Sequence, residues 1–105
     1  MELPITLEVW GGKYPLSVVV DDYACGGTAV KLEPRFCVVS VWLDSSPSLP
    51  PGTFYVKHWG QEEIIEALLK KGIICLAPGI PPARSGFVEN IRAYQFTREA
   101  ALQFV

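Results

Sequence analysis

The chain holds a single histidine, His58, so any Ser-His-Asp or Cys-His relay must be built on it. His58 follows an expected strand and precedes an expected helix, beside Trp59, and reads as a histidine at a strand–helix junction. Cys25, Cys37 and Cys75 are odd in number and show no Cys-x-x-Cys spacing. They read as small buried hydrophobes rather than as a redox pair, and a zinc site would want paired ligands that the sequence lacks. Asp21 and Asp22 could serve acid–base or magnesium chemistry. Neighbouring strand residues point to opposite faces, however, so the pair reads as the end of a strand. Glu62, Glu63 and Glu66 fit the first turn and outer face of a helix. Neither Gly-x-Gly-x-x-Gly nor Gly-x-x-x-x-Gly-Lys occurs, so no phosphate loop is encoded. No catalytic residue, no metal site and no cofactor is expected, and the chain reads as not an enzyme.

The aromatic and cationic residues suggest contact rather than catalysis. Trp10, Tyr55 and Trp59 fall near strand ends or opposite the apolar alternation, where exposed rings favour interfaces. Trp42 lies in a run that reads as covered on both faces. Arg84 and Arg92 could rim such a patch. The candidate binding residues are therefore Trp10, Tyr55, His58, Trp59, Arg84 and Arg92.

Nine basic and eleven acidic residues give a formal net charge of −2. Phosphate neutralisation needs clustered Lys and Arg, and the closest basic pair, Lys70-Lys71, sits at a helix end, so nucleic acid is not an expected partner. The start, Met1-Glu2-Leu3-Pro4, has no basic or apolar leader character, and the apolar stretches fall far short of the roughly 20 residues of a membrane span. A cytoplasmic address and no membrane partner are expected.

The 105 residues suit a single domain, 1–105. Ile5 to Trp10 and Tyr14 to Asp22 alternate and meet across Gly11-Gly12 as a hairpin, with Val9 expected opposite Tyr14 and Leu7 opposite Leu16. In that register a loop of Trp10 to Lys13 spares Pro15 a hydrogen-bonded pair. Thr28 to Glu33 reads as a third strand, and Glu33-Pro34-Arg35 as a turn. Cys37 to Leu43 reads as a central strand and Thr53 to His58 as a fifth, with Phe54 and Val56 on the core side. Gln61 to Lys71 carries an apolar stripe, Ile64, Ile65, Leu68 and Leu69, at helical spacing, with Gly72 as its left-handed cap and Ile73 as the accompanying contact. Ile73 to Leu76 reads as a short strand and Ala77 to Gly86 as a loop. Phe87 to Phe96 has strand character with Phe87 and Phe96 among its anchors, and Thr97 caps a short final helix. The expected class is α+β: a mostly antiparallel sheet of about five or six strands with one amphipathic helix packed on a face.

Across residues 14–96 the order of these elements resembles an uncharacterised family of small α+β domains from phages and bacterial mobile elements. The resemblance rests on Gly27-Thr28-Ala29-Val30-Lys31-Leu32, Val39-Ser40-Val41-Trp42-Leu43, Leu49-Pro50 with Phe54-Tyr55-Val56, the Glu62 to Gly72 helix, Ser85-Gly86-Phe87 and Tyr94-Gln95-Phe96. Where the family has an acidic, asparagine-bearing segment, this chain has Lys57-His58-Trp59. The resemblance implies an accessory protein of a mobile element that inhibits a host protein or protein complex by protein–protein interaction, as anti-CRISPR and other anti-defence inhibitors do. The alternative is a binder that sequesters a nucleotide signal in a concave pocket lined by aromatics and a few Arg or Lys, at an oligomer interface. Apolar content and open sheet edges also suggest a homodimer.

Overall fold

Strands β1 (Glu2–Val9) and β2 (Gly12–Asp22) pair antiparallel, with Leu7 opposite Tyr14 and Leu3 opposite Val18. The expected four-residue loop is corrected to two residues, Trp10 and Gly11. Both take left-handed backbone, φ 54° and 74°, which suits a tight hairpin turn whose twist matches that of the strands. Pro15 then stands opposite Thr6. Counting along the ladder from Val9–Gly12, that is a non-hydrogen-bonded pair, so the missing N–H costs nothing. The register moves by two residues, so the faces are preserved and Leu3, Leu7, Val9, Leu16 and Val18 all remain buried. The structure, a computed structural model, describes residues 1–34 and 36–105, so the Arg35 end of the expected Glu33-Pro34-Arg35 turn lies outside them.

Strand β3 (Thr28–Glu33) pairs with β2, and β4 (Cys37–Val38) with β3. The run from Cys37 to Leu43 is not one strand. After β4 the chain leaves the first sheet and enters a second as β5 (Ser40–Val41). Val39, fully buried between them, bonds to both sheets: its N–H donates to the Val30 carbonyl at 2.9 Å and its own carbonyl accepts from the Lys57 N–H at 2.8 Å. The buried Ser40 hydroxyl accepts from the Val30 N–H at 2.9 Å and meets the Tyr23 hydroxyl at 2.7 Å. The crossing thus satisfies both backbone groups of Val30.

The chain continues through β6 (Thr53–Val56), α1 (Glu62–Lys70), β7 (Ile74–Leu76), β8 (Ala83–Ser85), β9 (Val88–Ile91), β10 (Ala93–Phe96) and α2 (Arg98–Ala101). Among the described residues the class is α+β, but the single sheet expected is corrected to two antiparallel four-stranded sheets, β1-β2-β3-β4 and β5-β6-β10-β7, with a separate β8-β9 hairpin. The hairpin takes in part of the expected 77–86 loop. One core lies between the sheets and under α1, built from Leu7, Val18, Leu32, Phe54, Val56 and Leu68 among others. A second, of Leu43, Tyr55, Ala77, Ile91 and Ala93, fills the other face of the second sheet beneath the hairpin. Every residue of β6 is therefore buried.

Helix α1 ends as its sequence requires. Gly72 is left-handed at φ 76°, its N–H donates to the Leu69 carbonyl, and the Ile73 N–H reaches back to the Leu68 carbonyl, both at 3.0 Å. Thr97 caps α2 by accepting from the Ala100 N–H at 3.1 Å. The free edge of β1 is engaged at both ends. Glu2 exchanges two backbone hydrogen bonds with Val105, and the Trp10 N–H donates to the Glu63 carboxylate. Pro4 between them has no donor, which leaves this edge little ladder to offer a second copy.

Replacing Ser40 with Ala strands the buried Val30 N–H. The expected cost is about 1–3 kcal/mol, read as a lower urea midpoint at unchanged slope.

Candidate functional site

The six candidate residues do not form one surface. Trp10, at the β1–β2 turn, is 59% exposed. Its indole stacks on Phe36 at 5.6 Å and 24°, and meets Tyr14 edge-on at 6.2 Å, while Tyr14 and Phe36 touch at 5.4 Å. The Trp10 N–H to Glu63 Oε2 bond, 2.7 Å, ties the turn to the first turn of α1. The result is an exposed indole on a backbone held in place, resting on two half-buried rings that pack against the first core. Tyr14 and Phe36 were not candidates. A two-residue turn with aromatics at its first position and three residues beyond it was the available signal, and the expected longer loop hid it.

Tyr55 is corrected: it is 4% exposed, in the second core, with its hydroxyl on Ser45 Oγ at 2.8 Å. Alternation placed it opposite Phe54 and Val56, as observed, but that face is roofed by residues from the 77–91 segment. Trp59 packs half-buried against the same core and edge-on to His58 at 5.4 Å. Trp42 is partly exposed and its indole N–H donates to the Gly26 carbonyl at 3.1 Å. Arg84, in β8, is exposed and lies 3.5 Å from the Glu89 carboxylate. Phe87, expected as a strand anchor, is instead fully exposed at the tip of the β8–β9 hairpin, where Gly86 takes φ 60°.

His58 and Arg92 do converge. The β6–β10 register sets Ala93 opposite Tyr55, which brings Arg92 opposite Val56, and the Arg92 carbonyl accepts from the Val56 N–H at 3.1 Å. Val56, His58, Asn90, Arg92 and Tyr94 line a cavity of about 140 Å³. No thiol or carboxylate is among them. Gln61, just before α1, holds this junction in place by donating its amide to the Val38 and Lys57 carbonyls at 2.9 and 2.7 Å.

Cys25 is exposed, while Cys37 and Cys75 are half-buried, and all three are free thiols. Among the described residues no three His, Cys, Asp or Glu gather as metal ligands. Burial pushes the Cys37 thiol above its usual value, partly offset by the Lys57 ammonium. The folded state therefore keeps this proton to higher pH than the unfolded chain does. The stability it contributes is present below the ordinary thiol range and is lost as pH rises through the raised value. Mass-spectrometric alkylation at pH 8 is expected to label Cys25 ahead of Cys37, with the gap closing as pH is raised.

No family model, no curated protein and no solved structure matches the chain.

Proposed function

We propose that this chain is a non-enzymatic inhibitor from a phage or bacterial mobile element, acting in the host cytoplasm by binding a host protein or protein complex, with an anti-CRISPR or other anti-defence role. The observation that carries the reading is the exposed Trp10, seated on the half-buried rings of Tyr14 and Phe36 at a hairpin turn braced by Glu63. A rigid aromatic anchor loses little entropy on docking and has the character of an interface hot spot. Phe87, projecting from a second hairpin, offers another such anchor. The resemblance to mobile-element accessory domains supplies the biological setting.

Sequestration of a whole nucleotide signal fits the cavities less well. A depression of about 790 Å³ has no aromatic side chain among its described lining residues to stack a base, and one of about 440 Å³ beside Trp10 offers a single ring. The cavity at Tyr94, about 140 Å³, is well below the roughly 300–1,000 Å³ of a whole-ligand pocket.

The test is phage plating on hosts with defined defence systems, with the gene expressed, followed by capture of the affected complex. Trp10→Asn keeps a residue that tolerates the left-handed turn while removing the indole. It should weaken capture about 30-fold or more, as loss of a hot spot does, while the chain still melts cooperatively with only a modest drop in Tm from the lost ring contacts. Unchanged capture by Trp10→Asn, or no effect of the wild-type gene on any system, would overturn the reading.

A further inference from the structure

We infer that the cavity bounded by His58, Asn90, Arg92 and Tyr94 is an oxyanion site, sized for one phosphate group, separate from the aromatic surface and independent of its partner. Four kinds of hydrogen-bond donor line it, a guanidinium, an amide, a phenol and an imidazole, with Val56 as an apolar wall. The one fixed charge among them is positive.

Two observations point to a ligand. His58 Nε2 is the one buried side-chain polar atom, among the described residues, with no hydrogen-bond partner, and it belongs to a residue lining this cavity. A buried polar atom without a partner carries a desolvation cost. Arg92 is half-buried, and its side chain has no ion pair or hydrogen bond among the described residues. The nearby carboxylate in sequence, Glu89, faces Arg84 instead. A half-desolvated guanidinium without a carboxylate is a receptor for an external anion, and its planar fork matches two oxygens of a phosphate. Asn90, exposed and left-handed at φ 56° as asparagine readily is, adds its side-chain amide to the lining.

Size selects the ligand. At about 140 Å³ the cavity has the volume of roughly four to five liquid waters, enough for a tetrahedral oxyanion and too small for a sugar and base. The shared chemistry is a phosphate group, either free inorganic phosphate or the terminal group of a small phosphomonoester whose remainder stays outside.

The test is an NMR titration of the full chain at constant ionic strength, observing the His58 ring and Arg92 side-chain signals, with matching thermal melts. The probes are inorganic phosphate, adenosine monophosphate and acetate. Phosphate is expected to shift both sets of signals saturably and, at about five times its Kd, to raise Tm by roughly 4–8 °C. Saturation by adenosine monophosphate at lower concentration assigns the source to a phosphomonoester, and equal or weaker binding assigns it to the free ion. Arg92→Gln should abolish saturation. Asn90→Gly, which suits the left-handed backbone and so keeps the fold, should weaken it about tenfold or more through loss of a charge-assisted hydrogen bond. A response to acetate alone, phosphate shifts that persist unchanged in both variants, or no saturable shift with either phosphate probe (a cavity that holds only water) would overturn the assignment.

Discussion

Between Cys37 and Val41 the backbone leaves one sheet and joins another, and it must do so without stranding a polar group in the interior. A buried amide with no partner costs about as much as several buried methylenes contribute, so the crossing is the severest constraint on the fold. Val39 meets it by splitting its own N–H and carbonyl between the two sheets. The Ser40 hydroxyl meets the remainder by standing in for a backbone acceptor at Val30, with Tyr23 closing the network from outside. A serine in the middle of an apolar run looks like a flaw in a strand. Here it is what allows the run to serve two sheets, and the shared core between them follows from it.

Both surfaces discussed above depend on that crossing through α1. Gln61 holds the start of the helix to the backbone at Val38, one residue before the switch, and at Lys57, one residue after β6. Two residues on, Glu63 reaches out to the turn at Trp10. One turn of helix thus fixes the aromatic cluster and sits next to the segment bearing His58. The carboxylate costs little in this position, since the first turn of a helix favours negative charge. An exposed indole on an unbraced hairpin would lose much of its value as an anchor to conformational entropy.

Local chemistry was legible in the sequence where a single element decided it. Ile64, Ile65 and Leu68 of the expected stripe, the Gly72 cap and the Thr97 cap are written within a few residues, and the structure has them; Leu69, at the edge of that stripe, is exposed instead. The faces of β1 and β2 were legible as well, because a two-residue error in register leaves side-chain alternation intact; the turn was not, because Gly11-Gly12 drew the end of the loop two residues too late. Tyr55 and Phe87 failed for a tertiary reason. The segment that buries Tyr55 reads locally as a proline-rich loop, and nothing within it announces that 83–91 folds back as a hairpin over the second sheet. The same folding back carries Phe87 out to a turn. His58 and Arg92 were each visible as candidates, but their meeting depends on the β6–β10 register, which no local pattern encodes.

Strand β6 has two neighbours, and each begins just after a one-residue break where the chain changes sheets: Val39 before β5 and Arg92 before β10. Both breaks hydrogen-bond to the β6 end of the sheet, Val39 through Lys57 and Arg92 through Val56. The backbone problem is therefore similar on the two sides and the side chains differ completely. At Val39 the fold spends the position on packing, and the residue is fully buried. At Arg92 it places a cation beside a valine and leaves an imidazole nitrogen unpaired. An aliphatic residue would serve the second break as it serves the first, and the backbone bond to Val56 would be unchanged. With valine as a wall and no carboxylate beside it among the described residues, the guanidinium is left free for the anion proposed above.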